Sequence, residues 1–507
     1  MNFSFYLALL IFCFLLLRLI PIFLSSKKIH RYSEDGYYYI YVIRHLFNKR
    51  NGKKLNKQFL LFSSIDNHAL YPYFASLFLR FLSLDFIKNY FNVVVDLLFS
   101  LSMFMVLQHF GFTDYKSFLL VVLYLLIPFS YSITNLGPRV FSFTPRLFSE
   151  IVSSLMIFSL YAFNNLDPIF IILFLFLSLI FIYLSKFALQ VFFLLLIPAM
   201  ILNGDYIPMF LSITIFIISY VLDKKQKIAI KAQVEHLKVY FWKNKNNDMH
   251  FSNRNSFKEI IELFFSGSIK LLFKQVYKEN SFTSTFIKFL PFFYVLFFLH
   301  NSQYTFFITY IILSLILFLV INTKKFLFLG EAERYLLHVL FPIIIIFGEL
   351  FDTQTLLFFI SFYILLYCIE LLFIYETYDK NSFDEDEEIY AYLNNFDNKR
   401  NIIANPLYVA GGCNLMLSTN HRVLNSTIGF SDHHIENMDK ILHKYPILNL
   451  EHLDFLIEKY NIDTFISSTD YLNGLPNSIL SNINQYFELT FSSKNNTYKL
   501  YTLKKLK

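Results

Sequence analysis

Residues 168–184 read PIFIILFLFLSLIFIYL, a stretch without a charged side chain. Its length falls in the range of about 17 to 25 residues that a membrane-spanning helix needs. Across all 507 residues, 56% are hydrophobic and only 16% are charged, and the mean hydropathy is +0.48. Soluble globular proteins have a far more polar composition. The sequence therefore predicts a polytopic α-helical membrane protein.

Eleven apolar stretches predict about eleven spans. They are residues 5–24, 91–110, 117–134, 148–164, 168–184, 187–203, 206–222, 284–300, 304–321, 336–351 and 354–376. The first is interpreted as a retained span, because it lacks the basic start and the small-residue cleavage site of a signal peptide. Arg18 lies within it and is expected to extend toward the membrane surface, as long cationic side chains do.

Residues 68–87, HALYPYFASLFLRFLSLDFI, are apolar but contain a Tyr-Pro pair and Arg80. They predict a helix that lies in the membrane surface. If they crossed the membrane, every later loop would change sides. The loop at 223–283 mixes lysines with apolar residues at helical spacing, which predicts a second surface helix. A solvated linker is the alternative for that loop.

Charged residues at the ends of the spans are candidates for a site, because most spans contain none. The first are Glu34 and Asp35 in RYSEDGYYYIYVIRHLF. A helix from Gly36 onward would place Arg44 and three apolar residues on one face, with Asp35 at its N-terminus. Asp35 is therefore either a reactive carboxylate or a simple helix cap.

The second group is Arg139, Arg146 and Glu150 in NLGPRVFSFTPRLFSE, directly before a span. The planar guanidinium of arginine suits phosphate or carboxylate ligands. The alternative is that both arginines lie at the lipid headgroups. In either case, a short connection carries two cations close to the membrane surface.

The third group is Glu331, Glu333 and Arg334 in GEAERYLLHVLFP, where the tenth span begins. Two acids and an arginine at the rim of a span are costly unless they pair with each other or have a function. If 68–87 does not cross, all three groups fall on one membrane face. Lys186 and the C-terminal region fall on that face as well. One shared face permits one shared site.

In order and in kind, these segments resemble the GT-C superfamily of membrane glycosyltransferases, which use polyprenyl-phosphate-linked sugars as donors. SEDGYYYIYVIRHL resembles the acidic motif of the family's first long extracytoplasmic loop, and YPYFASLFLRFL resembles its Tyr-Pro-Pro stretch. FTPRLFSEIV resembles the second loop, LSKFALQVFFLLLIP the lysine-bearing turn, and ERYLLHVLFP the Arg-Tyr-Leu motif. The resemblance covers residues 1–376. Two departures are a Glu-Asp order in the acidic pair and Tyr73 in place of the second proline.

The resemblance implies an inverting sugar transfer to a glycan, lipid or protein acceptor, as in dolichyl-phosphate-mannose-protein mannosyltransferases or oligosaccharyltransferase catalytic subunits. Asp35 or Glu34 would be the catalytic base, and Asp35 is preferred because GYYY follows it. The donor phosphate would be held by Arg139, Arg146, Lys186 and Arg334. Supporting roles would fall to Arg44, Glu150, Glu333 and Tyr335. A need for a divalent metal is left open.

The chemistry of such a transfer agrees with these residue types. A hydroxyl group is a poor nucleophile, so a carboxylate must accept its proton as the anomeric carbon is attacked. The leaving lipid phosphate gains negative charge, which fixed cations stabilise. The donor is itself activated, so no nucleotide-binding fold is needed, and the sequence has no Walker A or G-x-G-x-x-G motif. Nucleic-acid binding is not expected, and membrane lipids are expected partners.

We expect two domains: a transmembrane GT-C-like domain at 1–377, with long loops at 25–90 and 223–283, and a soluble mixed α/β domain at 378–507. In the second, Asn449 can cap a helix, and DTFISSTDYL, YFELTFSS and TYKLYTL predict strands. No metal site is predicted, because the spacing of the histidines and cysteines matches no ligand pattern. Those residues are His421, His433, His434, His443, Cys13, Cys368 and Cys413.

The resemblance implies a multi-pass protein of the cell (inner) membrane, with the C-terminal domain outside and a role in cell-envelope glycan biosynthesis. The distribution of basic residues conflicts with that orientation. Eleven lie between 25 and 90 and twelve between 223 and 283, on the face that would be outside, whereas the positive-inside rule puts them in the cytoplasm. Alternative functions are a transporter or flippase of lipid-linked glycans, for which Asp96 would be the mid-span acid, or a polysaccharide polymerase.

Overall fold

A computed structural model describes residues 3–25, 34–51, 60, 70–128, 143–245, 257–323, 325–376, 380–407, 409–424, 438–444 and 447–504. Three residues named above, Arg139, His433 and His434, lie outside these ranges, as does the end of the stretch predicted at 117–134. The described chain is mainly helical, and its strands lie near the C-terminus.

In the described part of the chain, twenty α-helices precede the first strand. They are α1 (Phe3–Ser25), α2 (Glu34–Arg50), α3 (Leu70–Phe78), α4 (Leu84–His109), α5 (Asp114–Leu126), α6 (Pro145–Asn165), α7 (Phe170–Ile182), α8 (Lys186–Val191), α9 (Ile197–Asn203), α10 (Tyr206–Leu222), α11 (Lys224–Lys245), α12 (Phe257–Phe265), α13 (Ile269–Lys274), α14 (Ser281–Lys288), α15 (Leu290–Val295), α16 (Thr305–Ile321), α17 (Glu333–Leu337), α18 (Leu340–Leu350), α19 (Thr353–Glu376) and α20 (Lys380–Asn394). One π-helical turn, Phe192–Leu196, joins α8 to α9, and a second, Gln275–Glu279, precedes α14.

Five helical segments are long and apolar enough to cross a membrane: Phe3–Leu24, Leu84–His109, Pro145–Asn165, Lys186–Asn203 and Thr353–Ile374. Two bent pairs raise the number to seven: Tyr206–Leu222 with Lys224–Lys231, bent by 101°, and Ser281–Lys288 with Leu290–His300, bent by 71°. The helices Phe170–Ile182, Thr305–Ile321 and Leu340–Leu350 are apolar but shorter. The described chain is thus a helical membrane protein with five to seven candidate spans, fewer than the eleven predicted.

Arg18 does not extend to the membrane surface as predicted. Its side chain is fully buried, and its Nε lies 2.8 Å from Oδ2 of the equally buried Asp96 in α4. The Arg18 Nη1 also donates to the carbonyl oxygen of Leu125 at 2.8 Å, and Tyr124 donates to Asp96 Oδ1 at 3.0 Å. Asp96 on α4 and the Leu125 carbonyl on α5 therefore provide the hydrogen-bond acceptors that water would provide at the membrane surface.

The stretch at 68–87 divides between two helices. Its first part forms the nine-residue helix α3, and Leu84 to Ile87 begin the long helix α4. The side chain of Ser83 caps α4 by accepting a hydrogen bond from the backbone N–H of Phe86 at 3.1 Å. A helix is thus present within this stretch, but the prediction of one helix over 68–87 is wrong, because α3 ends at Phe78 and the Ser83 cap starts a new helix.

The C-terminal part contains a five-stranded sheet in the order β2-β1-β5-β7-β6. The strands are β1 (Asn401–Asn405), β2 (Arg422–Val423), β5 (Thr464–Ser468), β6 (Phe487–Ser492) and β7 (Tyr498–Leu503), and a separate hairpin pairs β3 (Leu442–Lys444) with β4 (Ile447–Leu448). Strands β2, β1 and β5 are parallel, and β7 and β6 are antiparallel to their neighbours. The helices are α21 (Cys413–Ser418), α22 (Met438–Ile441), α23 (Leu453–Tyr460), α24 (Thr469–Asn473) and α25 (Asn477–Tyr486).

The three predicted strands are confirmed as β5, β6 and β7. Asn449 also caps as predicted: its side-chain oxygen accepts from the backbone N–H of Glu451 at 3.2 Å, at the start of a 3₁₀ turn that leads into α23. Strands β1 and β2 were not predicted.

Candidate functional site

Helix α2 carries the acidic pair in its first turn, since it begins at Glu34, two residues earlier than the sequence predicted. The side chains of Glu34 and Asp35 lie outside the described part of the chain. The helix itself is well packed: Lys88, near the start of α4, lies 4.9 Å from the ring centre of Tyr37, and Arg50 donates to Ser76 of α3 at 2.7 Å. Both ends of α2 are therefore fixed against neighbouring helices.

The third turn of α4 and the start of α6 meet at the buried side chain of Tyr71 in α3. Its ring stacks on Phe143 and Phe148, with centroid distances of 4.9 and 5.0 Å. Its hydroxyl donates to the side chain of Asn92 in α4, which in turn donates to the carbonyl oxygen of Thr144 at 3.2 Å. Arg146 follows Thr144 by two residues, so this network fixes the backbone that presents its guanidinium.

Arg146 is half-buried in the first turn of α6, and Glu150 is buried one turn further on. Two turns below Arg146, the Ser153 hydroxyl lies 2.7 Å from Nδ1 of the buried His338. His338 directly follows α17, the helix that carries Arg334. A buried hydrogen bond therefore connects α6, which carries Arg146 and Glu150, with the end of α17, which carries Arg334.

Lys186 begins the helix that continues to Asn203. Ser185 caps this helix by accepting from the backbone N–H of Ala188 at 3.0 Å, and Gln233 of α11 donates to the carbonyl oxygen of Lys186 at 2.7 Å. The next side chain, Phe187, lies 5.1 Å from the Arg334 guanidinium. Lys186 is thus held between α11 and the third group.

Phe187 is the aromatic centre of these contacts. Its ring lies 5.0 Å from Tyr335 and 5.8 Å from His338.

Burial raises the pKa of the Tyr335 phenol, with Arg334 opposing the shift. Burial likewise lowers the pKa of the Arg44 guanidinium on α2, with Tyr41 opposing it. Tyr335 is therefore a neutral phenol at physiological pH.

The two acids of the third group point to different partners. Glu331 forms an ion pair with Arg334, which is the pairing that the sequence offered as the alternative to a function. Glu333 is fully buried and accepts from the Ser281 hydroxyl at 3.0 Å. Arg334 is therefore already paired with one carboxylate. An anionic ligand would have to compete with Glu331 for the Arg334 guanidinium.

A buried ion pair next to Glu333 was missed by the sequence analysis. Lys288 Nζ lies 3.0 Å from Oε1 of Glu370, and Tyr277 donates to the same oxygen at 2.9 Å. Both charged side chains are almost entirely buried. The available signal was Lys288 within the apolar stretch 284–300 and Glu370 within the apolar stretch 354–376.

The contacts thus connect the helices that carry Arg146, Glu150, Lys186, Arg334 and Tyr335 at one end of the bundle, which we call the site end. Helices α2 and α3 lie against the same end. The opposite end is marked by a separate aromatic cluster, in which Phe110 contacts Phe158, Tyr161, Tyr304 and Phe307. Among the described residues, no three His, Cys, Asp or Glu side chains lie close enough to hold a metal ion.

Comparison of the sequence with known protein families and with curated proteins finds no match to either.

Proposed function

We propose that this chain is a membrane glycosyltransferase that transfers a sugar from a polyprenyl-phosphate-linked donor to a hydroxyl-bearing or amide-bearing acceptor. The observation that carries the proposal is the contact network at the site end. It joins segments from four distant parts of the sequence, each of which resembles a GT-C motif. Random placement of charged residues along apolar spans gives no reason for such a meeting.

The reaction divides between two groups of side chains. Asp35, or Glu34, accepts the proton of the acceptor as its heteroatom attacks the anomeric carbon from the side opposite the phosphate. The bond between the anomeric carbon and the phosphate oxygen breaks, and the electron pair leaves with the lipid phosphate. Arg146, Arg334 and Lys186 stabilise the charge that grows on that phosphate, with Arg139 added by resemblance.

Helix starts support the same arrangement. The long helices α2, α6 and Lys186–Asn203 begin at the residues that carry the predicted site. The free N–H groups and the dipole of a helix N-terminus favour nearby negative charge. A lipid phosphate at the site end would therefore gain from the backbone as well as from the side chains.

The experiment that tests the proposal is Asp35→Asn, with Glu34→Gln in parallel, in lipid nanodiscs supplied with a polyprenyl-phosphate sugar. Loss of the base should lower the transfer rate on the order of 100- to 10,000-fold while binding of the donor is kept. As a helix-terminal residue alone, Asp35 would contribute only about 0.3–1 kcal/mol to stability through the helix dipole, and its loss would hardly change the rate.

Full activity in both variants would make the acidic pair structural and remove the proposed base. Absence of transfer by the unaltered protein with all tested donors would favour the transporter or flippase alternative. That alternative depended on Asp96 as a charge within a span, and the ion pair of Asp96 with Arg18 argues against it. A polymerase remains a variant of the same chemistry with a growing glycan as acceptor.

The number of spans and the membrane face of each loop are part of the same proposal. If α5 and the shorter helices α7, α16 and α18 also cross, the chain has eleven spans, and α2, α11 and the C-terminal α/β region (residues 380–504) share the extracytoplasmic face. Two helices that run between the two ends support this reading: α6 extends from Arg146 to Tyr161 of the aromatic cluster, and α16 extends from Phe307 of that cluster to Phe318, which stacks on Phe282 beside Ser281. The positive-inside rule still opposes that orientation, and long loops follow the rule less closely.

A further inference from the structure

Helix α2 is packed on two sides by different parts of the chain. Ile40 and Ile43 are buried in the hydrophobic cluster of the helical bundle. Tyr37, Tyr38, Tyr41 and Val42 are buried in a second cluster, whose other buried members come from the C-terminal α/β region. The C-terminal region therefore adds a second packing surface for α2 to the one that the bundle provides.

The second side is provided mainly by α21, which packs directly against α2. Its residues Leu415 and Met416 are fully buried in the cluster that contains Tyr38 and Val42. The next residue, Leu417, contacts both that cluster and the cluster of the bundle. Helix α21 therefore lies where the C-terminal region meets α2 and the bundle.

The turn before α21 is itself firmly held. Ala410 has a φ of 54°, a left-handed conformation that a residue with a side chain rarely adopts. Its carbonyl oxygen accepts a hydrogen bond from the Tyr390 hydroxyl of α20 at 2.7 Å, and Ala410 itself is fully buried. Such a conformation persists only where surrounding contacts impose it, so the position of α21 is set by α20 and by the buried turn.

We infer that α21, through Leu415 and Met416, is a positioning element that holds α2 and thereby sets where the acidic pair Glu34 and Asp35 stands. This inference rests on the proposed function for its catalytic part. The C-terminal region would then be part of the catalytic apparatus, in addition to any role in admitting the acceptor. Met416 is a positioning residue here, because it acts through α2 and touches no substrate.

The test compares Met416→Ala with the matched control Leu456→Ala. Leu456 is equally buried in the same C-terminal region but lies in a different hydrophobic cluster, away from α2. Hydrogen exchange of the backbone amides of 36–44 is measured in the full-length protein, well below the melting temperature of either variant. Transfer kinetics with a polyprenyl-phosphate sugar are measured in parallel.

Met416→Ala should speed amide exchange in α2 and lower kcat, with little change in the KM for the donor. A misplacement of about 1 Å can cost on the order of 100-fold in rate. Leu456→Ala should lower the melting temperature by a similar amount but leave the α2 exchange and kcat as in the unaltered protein. If Met416→Ala does not fold, Val42→Ala alters the same hydrophobic cluster from the α2 side and should give the same result.

Equal α2 exchange and equal kcat in the Met416 and Leu456 variants would overturn the inference. The positioning role of α21 can also be tested separately from the proposed function. If the unaltered protein transfers no sugar but its α2 exchange still depends on Met416, the positioning role of α21 stands and the proposed reaction fails.

Discussion

Arg18 and Asp96 form an ion pair that is removed from solvent entirely. The interaction of two such charges does little more than offset their desolvation, so the pair by itself is weak evidence for stability. Removal of one partner has a much larger effect, because it leaves an uncompensated charge in an apolar setting. The pair therefore makes α1 and α4 mutually dependent, with Tyr124 of α5 as a third participant.

Asp96→Leu is expected to destabilise the protein by about 3–5 kcal/mol, because the Arg18 charge loses its carboxylate. The double variant Arg18→Met with Asp96→Leu should recover most of that loss, since an apolar pair of similar volume needs no desolvation. Thermal unfolding in detergent checks both variants. Asp167→Leu, at an exposed acid of the opposite end, is the control. If Asp96→Leu unfolds at the same temperature as the control Asp167→Leu, the ion pair is unimportant for stability.

At the residue scale, the sequence identified the candidate charges but not their partners. Arg334, Arg146 and Lys186 were found because each stands beside an apolar span. The pairing of Arg18 with Asp96 joins residues 78 positions apart, and no local pattern encodes such a contact. Lys288 and Glu370 were overlooked for a related reason. Each lies within a long apolar stretch, and their ion pair forms only where the two stretches pack together.

Helices α12 and α13 contain no buried residue. The side chains of Phe264 and Phe265 are 66% and 81% exposed, and that of Ile269 is 80% exposed. The polar residues of α12 lie on its other face, as a helix in the plane of a membrane surface requires. Contacts of this loop with α14 and α19, such as that of Phe273 with Phe373 at 6.2 Å, keep it beside the candidate spans. The predicted surface helix is therefore favoured over a solvated linker.

Phe264→Trp is expected to place a tryptophan about 5–10 Å into the lipid boundary. Trp242 is the only natural tryptophan, so the variant is made in a Trp242→Phe background. Brominated lipids should quench this reporter strongly. Glu262→Trp, on the polar face of the same helix, is the matched control and should be quenched much less. Equal quenching of both reporters would mean that α12 does not lie in the membrane surface.

At the element scale, periodicity predicted the long helices and the strands β5, β6 and β7 well. It missed β1, whose five residues NIIAN lack alternation because the strand is buried between β2 and β5. It missed β2 because two residues carry no pattern at all. The end of α3 was also misjudged, since the Ser83 cap interrupts a stretch that is apolar on both sides.

For the whole molecule, we propose that α2, α11 and the C-terminal α/β region lie on one membrane face, together with the site end. Sequence composition could predict a membrane protein, and the apolar stretches could predict most helices. Orientation could not be decided in that way, because the basic loops and the family resemblance point to opposite faces. The bends of 101° after α10 and 71° after α14 likewise depend on tertiary packing.

Cysteine labelling tests this claim most directly. In a background without Cys13, Cys368 and Cys413, single cysteines are introduced at the exposed positions Lys49, Lys231 and Glu387 for the site end, and at Asp167 and Asp352 for the opposite end. An impermeant maleimide applied to sealed vesicles of one orientation should label the first three together and spare the last two, or the reverse after inversion. Labelling of Lys49→Cys from one side and Lys231→Cys from the other would contradict the account, because α2, which carries the proposed base, and α11, which binds the Lys186 backbone through Gln233, could then not share one membrane face.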